Sequence, residues 1–302
     1  MWPASDMLFN GSILGEAIGF GVLSAAVVGV AAVGFTLQFG ISNILNLAYA
    51  AIMTMSMFAA YVAQHAGVNI WASMAIGGAA GSALSYAING GVYRPFGRRT
   101  TNLFSIVLVT LATGLIITNL LEGFVGETFY SYQLPLGTEH SLGAFRFSSN
   151  QLIIFIIGLC AMVAVQLLLR GTGLGRAMRA TAADRELAAN CGIPTERVTD
   201  VAWLLSGFLC GIAGVALAIQ LGAFQPTTAG DFLVIIIAAA VLGGIGRPVG
   251  AMIGALIVSV ASEAVAAEIS PVYKTVVGLA LLIAVLLVRP GGILSLGRVR
   301  AG

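Results

Sequence analysis

The 302-residue chain carries 14 basic and 12 acidic side chains, so charged residues make up 9% of it, against about 25% in an ordinary soluble domain. Hydrophobic residues make up 59%, and the mean hydropathy is +1.00. This composition excludes soluble, disordered and disulfide-framework proteins and predicts a polytopic membrane protein. The net charge of +2 is too small and too scattered for a nucleic-acid-binding face.

Apolar runs recur along almost the whole chain, and a helix that crosses the hydrocarbon core needs about 20 such residues. Residues 1–10 contain no lysine or arginine, so we expect no cleaved secretory signal. The runs cover residues 12–37, 41–63, 70–93, 102–124, 150–169, 199–220, 231–243, 249–267 and 272–288. We therefore predict an all-α fold: a single transmembrane domain over residues 1–302, with about eight full spans and one short or broken helix.

The seventh run, 231–243, is the short one, because its residues span only about 20 Å as a helix. It ends in a segment of helix-breaking residues: Gly243, Gly244, Gly246 and Pro248. Irregular backbone at membrane depth is tolerated only where protein or a water-filled cavity covers it, so the break points toward a pathway. A tight turn at the membrane surface is the alternative.

Basic residues cluster in three loops that nine crossings place on one face of the membrane. The N-terminus is then outside and the C-terminus cytoplasmic, with Arg146 and Lys274 external. The clusters are Arg94, Arg98 and Arg99; Arg170, Arg176, Arg179, Arg185 and Arg197; and Arg289, Arg298 and Arg300. On the outer side, the long loop 125–149 is either a surface for an external partner or a plain connector.

Glycines four residues apart predict close packing between helices. Such pairs are Gly77 and Gly81, Gly207 and Gly211, and Gly250 and Gly254, and a triplet is formed by Gly11, Gly15 and Gly19.

Motifs for enzymatic chemistry are missing from the sequence. The single lysine, Lys274, follows Val272 and Tyr273, so the chain cannot hold a P-loop for ATP. His65 and His140 stand alone, the three cysteines are not at ligand spacing, and no Gly-x-Ser-x-Gly motif occurs. We expect neither catalysis nor a bound cofactor or metal in this chain.

Polar side chains inside the apolar runs are candidates for a translocation path, since polar groups facing lipid are costly. Asn43, Asn46 and Tyr49 are spaced by three residues, which predicts one helical face. Thr110, Thr113 and Asn119 are weaker candidates in the fourth run. The alternative for all six is hydrogen bonding between helices. For Glu263, a contact between helices is favoured over contact with solute.

The loop 170–198 concentrates the charge and predicts a short cytoplasmic helix over Thr181–Asn190. Thr181 is the expected N-cap, and Gly192 stands where a helix stop belongs. This loop either only sets the topology or provides a docking helix for a soluble motor.

Four blocks of the sequence, in order, resemble the LivH-type permeases, the membrane subunits of ABC importers for branched-chain amino acids, urea and related small solutes. The resemblance runs from about residue 14 to the C-terminus. The blocks are Gly175-Arg-Ala-Met-Arg-Ala, Glu186-Leu-Ala-Ala-Asn-Cys-Gly-Ile, Val241-Leu-Gly-Gly-Ile-Gly-Arg-Pro-Val-Gly-Ala and Val288-Arg-Pro-Gly-Gly-Ile. The stretch Phe39 to Ala48 also resembles the family's second span, and Leu111 to Leu121 resembles its fourth.

The resemblance implies a bacterial inner-membrane importer for small amino acids of the branched-chain type or for related small organic solutes. Its pathway is formed with a second, different permease subunit, two subunits hydrolyse ATP, and an extracytoplasmic binding protein delivers the solute. The family's coupling helix would lie at Asp184, Arg185, Glu186, Ala189, Asn190, Gly192 and Ile193. One departure is Tyr49-Ala50-Ala51, where the family has a His-Gly-acid triplet, and this implies a less polar pathway.

Two other transport classes remain open from the residues themselves. An ion-coupled secondary transporter would need paired buried acids or an inverted repeat, and the polar breaks at 38–46 and 222–231 could belong to such a repeat. A passive channel would conduct without an energy source.

Overall fold

The structure is a computed structural model that describes residues 11–99, 102–134, 139–142, 145–270, 273–288 and 292–293. Its helices are α1 (Gly11–Ser42), α2 (Tyr49–His65), α3 (Ile70–Ile88), a π-helical turn (Asn89–Tyr93), α4 (Arg94–Gly97), α5 (Leu103–Val125), α6 (Ser149–Gly171), α7 (Gly173–Ala183), α8 (Arg185–Asn190), α9 (Thr195–Leu221), α10 (Thr228–Gly243), α11 (Pro248–Glu268) and α12 (Tyr273–Val288). Two short strands, β1 (Glu139–Leu142) and β2 (Phe145–Ser148), form an antiparallel hairpin.

The helical bundle confirms the all-α prediction, and each of the nine apolar runs corresponds to a helix in chain order. Five helices of the described part are long and apolar enough to cross a membrane, within α1, α5, α6, α9 and α11. Helices α10 and α12 have only 16 residues each, about 24 Å. The predicted number of full spans is therefore not established, whereas a short seventh helix is observed.

One end of the bundle, here called the arginine end, carries α4, α7, α8 and the turn between α10 and α11. Arg98 binds Glu196 at 3.0 Å, and Arg94 binds Asp200, so α4 is tied to the start of α9. A groove of about 430 Å³ at this end is lined by Arg170, Arg179 and Arg247. The predicted clustering of these loops on one side is thus observed, while Arg289, Arg298 and Arg300 lie outside the described residues.

The opposite end, here called the hairpin end, carries β1 and β2, which the sequence did not predict. The preceding segment is fastened to the bundle, because Tyr130 and Phe224 form a two-way backbone bridge. The Tyr132 hydroxyl also donates to the Met57 carbonyl at 2.9 Å. Burial raises the pKa of the Tyr132 phenol, so this hydroxyl keeps its proton. The segment that contains Tyr130 and Tyr132 is therefore fastened to the helices of the bundle.

The glycine pairs pack as predicted. A Cβ on Gly81 of α3 would lie 2.5 Å from the Gly207 carbonyl oxygen of α9, and a Cβ on Gly211 would lie 2.5 Å from the Gly77 carbonyl oxygen. Glycine is required at such close approaches because any side chain would force the helices apart. Gly254 and Gly250 of α11 fit closely against α10 in the same way. By contrast, a Cβ on Gly15 would meet no atom within 4 Å.

The second span was placed wrongly. Helix α1 continues to Ser42, and Asn43 ends it in the left-handed conformation with φ 53°, which asparagine tolerates better than most residues. Residues 43–48 are not helical, and α2 begins only at Tyr49.

This connection lies inside the bundle rather than at its surface. The Tyr49 hydroxyl donates to the carbonyl of Ala31 at 2.9 Å, and Ala31 precedes the end of α1 by about 16 Å. A Cβ on Gly114, halfway along α5, would lie 3.1 Å from the Ala48 Cα. Because irregular backbone at membrane depth must be covered by protein or line a cavity, the connection 43–48 is the more informative break in this chain.

Candidate functional site

Three of the six predicted path residues meet at the connection 43–48. The Thr110 hydroxyl of α5 donates to the Leu45 carbonyl at 2.9 Å and accepts from the Leu47 amide at 3.3 Å. Asn46 is fully buried, and its Oδ1 accepts from the Tyr93 hydroxyl at 3.1 Å. Tyr49 is equally buried. Thr110 of α5 thus bonds two backbone groups of this irregular segment, and Tyr93 of the π-helical turn holds the Asn46 side chain.

Of the other three path residues, only Thr113 reaches this cluster. Asn43 is exposed at the end of α1 and shares no helical face with Asn46 and Tyr49, so that prediction is wrong. The Thr113 hydroxyl donates to Val109 and the Asn119 amide to Leu115, both within α5. Thr113 also interacts with the Tyr93 hydroxyl, whereas the bond of Asn119 is local to one helix.

The buried region beside the connection holds several polar groups. Gln38 of α1 accepts through Oε1 from the Ser206 hydroxyl of α9 at 3.0 Å. Gln38 Nε2, Asn46 Nδ2 and Trp203 Nε1 have no hydrogen-bond acceptor in the described part of the chain. Buried donors without partners are rare, and in native structures each calls for an explanation such as water, strain or function. The residues around 43–48 are therefore the polar centre of the bundle.

The predicted coupling residues form an exposed turn of helix at the arginine end. Asp184, Arg185, Glu186, Ala189 and Asn190 are exposed. Between them, Leu187 keeps 61% of its surface, an apolar group presented outward. The inner side of α8 is held by Ala188, which is buried.

Both ends of α8 are defined by capping groups. Asp184 is the N-cap, since its Oδ1 accepts from the Leu187 amide at 2.9 Å. Thr181 lies inside α7 and donates to the Ala177 carbonyl, so its predicted capping role is wrong. Gly192, with φ 84°, stops the helix as predicted, and the Ile193 amide donates to Ala188 at 3.0 Å.

The predicted break at the end of α10 is a turn between two helices. Gly244 and Gly246 have φ 101° and 83°, and Pro248 is the first residue of α11. A Cβ on Gly40, near the end of α1, would lie 3.0 Å from the Gly246 Cα. Gly243 packs against Gly250 in the next helix. The local structure is thus that of a tight turn at the arginine end.

A polar cavity at the hairpin end was missed by the sequence analysis. It measures about 440 Å³ and is walled by α1, α9, α10, α11 and α12. Glu263 lies in it and accepts from Ser24 of α1 at 3.2 Å and from Lys274 of α12 at 2.8 Å, so the expected contact between helices is observed. The spacing of Ser259 and Glu263 by four residues was the available sequence signal.

Comparisons with known proteins agree with one another. Residues 17–286 match the family model described as the permease component of the branched-chain amino acid transport system. The high-affinity branched-chain amino acid transport permease LivH of Salmonella typhimurium is 31% identical over 96% of this chain and 95% of its own length. LivH of Escherichia coli is 30% identical over the same shares. BraD of Pseudomonas aeruginosa is 30% identical over 87% of this chain and 90% of its own.

Proposed function

The chain belongs to the family of branched-chain amino acid transport permeases, and on this premise we propose that it forms the translocation pathway of an ATP-driven importer for small apolar amino acids. Its partners are a second, different permease, two ATP-hydrolysing subunits and an extracytoplasmic binding protein. A multi-pass location in the inner membrane follows from the family and from the apolar helices. We place the N-terminus outside and the arginine end in the cytoplasm.

The observation that carries the proposal is that α8 is exposed while the helices on either side of it, α7 and α9, are attached to the bundle. The outward residues of α8 are exposed, and Leu187 is presented to the outside. At its base, Arg179 of α7 binds the Leu169 carbonyl of α6, and α8 leads through Gly192 into α9. A force applied to α8 by an ATPase subunit would therefore reach α6 and α9 as rigid elements.

The solute path is proposed to run past the connection 43–48. Asn46 and Thr110 either line this path or hold the connection in place beside it. Tyr49 adds little polarity to the path because its hydroxyl is bound to the Ala31 carbonyl. Ala50 and Ala51 add no polar side chain, and Tyr49 and Ala51 stand where the resemblance implies a histidine and an acid. Such a path suits a solute with an apolar side chain.

A double variant tests the coupling role. Glu186→Arg with Gly192→Trp should abolish uptake in the reconstituted importer, because it reverses a charge on the docking face and blocks the tight turn after α8. Expression and ATP hydrolysis by the motor subunits should persist. Arg176→Gln, on the exposed side of α7, serves as a control that should leave uptake unchanged. Normal uptake by the double variant would contradict the assignment.

A further inference from the structure

The cavity at the hairpin end contains a hydrogen-bonded chain that joins four helices. Gln220 of α9 donates to Ser24 of α1 at 2.6 Å, Ser24 donates to Glu263 of α11 at 3.2 Å, and Lys274 of α12 donates to the same Glu263 oxygen at 2.8 Å. The Lys274 ammonium has three donors, and one of them serves Glu263. Among the described residues, nothing else binds the other two donors or the second carboxylate oxygen, Oε2, and these groups can bind a small molecule.

A second carboxylate makes the cavity formally negative. Asp231, in the first turn of α10, lines it, is exposed, and has no hydrogen bond or ion pair within the described part of the chain. Together with Glu263 and Lys274 it gives the lining a formal charge of −1. A charge without a partner in a cleft favours a ligand that brings the opposite charge.

Two hydroxyl groups lie deeper in the same cavity. Ser259 and Ser262 of α11 line it and are each only 3% exposed. Neither Oγ has a hydrogen-bond partner among the described residues. Buried hydroxyls without partners cost free energy unless a ligand or water binds them. Each oxygen is itself shielded from the open space of the cavity, so these hydroxyls lie beneath its wall, in the same helix as Glu263.

The rest of the lining combines polar and apolar side chains. Amide and hydroxyl groups come from Gln151, Gln225, Thr228 and Thr275, and carbon surface comes from Phe20, Leu217, Phe232 and Ile235. Carbon surface together with a few polar groups is the usual composition of a small-molecule site.

From this arrangement we propose that the cavity is a binding subsite for a zwitterionic amino acid with an apolar side chain. Lys274 binds the carboxylate, Asp231 and the second oxygen of Glu263 accept from the ammonium, and the aromatic and aliphatic residues of the lining contact the apolar side chain. The subsite rests on the proposed function in one respect, since it would receive solute from the binding protein at the outer end of the path. Its ligand chemistry is argued from the cavity alone.

Thermal unfolding of the purified full-length chain in lipid nanodiscs tests the subsite without requiring transport. L-Leucine should raise the unfolding midpoint in a concentration-dependent manner, because a ligand bound only by the folded state stabilises it. Isocaproate lacks the ammonium and isoamylamine lacks the carboxylate, so each should need at least about tenfold higher concentration for the same shift.

Two variants assign the effect to this cavity. Lys274→Met and Asp231→Asn should each weaken the L-leucine shift about tenfold. Glu268→Gln removes an acid at the end of α11 that does not line the cavity and should leave the shift unchanged. If the Lys274→Met variant unfolds because it loses the ion pair with Glu263, the Asp231→Asn variant alone tests the subsite. Asp231 makes no hydrogen bond within the described chain, so its substitution should not unfold the protein.

Equal shifts with all three compounds, no shift with L-leucine, or an unchanged shift in Asp231→Asn would overturn the subsite. Uptake by the reconstituted importer separates this from the proposed function. ATP-driven uptake without stabilisation by L-leucine refutes only the subsite, and stabilisation without ATP-driven uptake refutes only the importer function.

Discussion

Replacing Gly81 by alanine tests the contact between α3 and α9, which fixes how the bundle packs around the polar centre. The added Cβ would lie 2.5 Å from the Gly207 carbonyl oxygen and 2.6 Å from the Ser56 hydroxyl. Ordinary non-bonded contacts lie near 3.5 Å, so the two helices must separate by about 1 Å. Overpacking of this kind costs about 1–3 kcal/mol, and we expect the free energy of unfolding to fall by that amount.

The measurement is unfolding of the purified chain by a denaturing detergent, followed by circular dichroism. Gly123→Ala is the matched control, because Gly123 is exposed on α5 and its Cβ would meet no atom within 4 Å. Alanine there should leave stability unchanged or raise it by up to about 1 kcal/mol through helix propensity. If Gly81→Ala proves as stable as Gly123→Ala, the close approach of α3 and α9 is refuted.

Three further predictions concern the connection 43–48 and α8. Asn46→Leu leaves the buried Tyr93 hydroxyl without its acceptor and should lower the unfolding free energy by about 1–3 kcal/mol as well as slow uptake; normal uptake would remove Asn46 from the path. Thr110→Val should lower the unfolding free energy by about 1 kcal/mol by releasing the connection. Asn119→Ala, which loses only a bond within its own helix, should change it less, and equal losses would contradict this reading. Gly192→Val places a branched side chain at φ 84° and should destabilise the end of α8 by about 1–2 kcal/mol. Amide hydrogens at the end of α8 should then exchange faster, and an unchanged exchange rate would argue against a capped α8.

Much of the bundle could be predicted from the sequence because its signals are local or periodic. Apolar runs determine where the helices lie, because a chain in lipid must form its backbone hydrogen bonds within each helix. Glycines four residues apart predicted the contact of Gly81 with Gly207 because small residues permit close backbone approach. The basic residues of the loops predicted that Arg98 and Arg170 lie at the same end, because positively charged loops stay on the cytoplasmic side of a membrane.

The start of α2 could not be read in the same way. Residues 41–48 keep enough apolar side chains among Asn43 and Asn46 for the apolar run to continue through them. The break depends on the left-handed conformation of Asn43 and on Thr110 from a distant helix. Both are tertiary effects, and they separate residues that a helix would have aligned.

The polar cavity is also a tertiary feature. Its charged groups, Asp231, Glu263 and Lys274, come from three helices, and no spacing along the chain connects Asp231 to the other two.

The predicted N-cap of α8 was misplaced by three residues for a simpler reason. Both Thr181 and Asp184 are good N-caps, and only the structure places Thr181 inside α7.

Uptake of radiolabelled L-leucine into proteoliposomes tests the central claim most directly. The vesicles would contain this chain with its partner permease and ATPase subunits, and the binding protein would be supplied outside. We expect uptake that requires ATP inside the vesicles and the binding protein outside, and that is unaffected when proton and sodium gradients are collapsed. Uptake driven by an ion gradient without ATP, or flux without either energy source, would contradict the account.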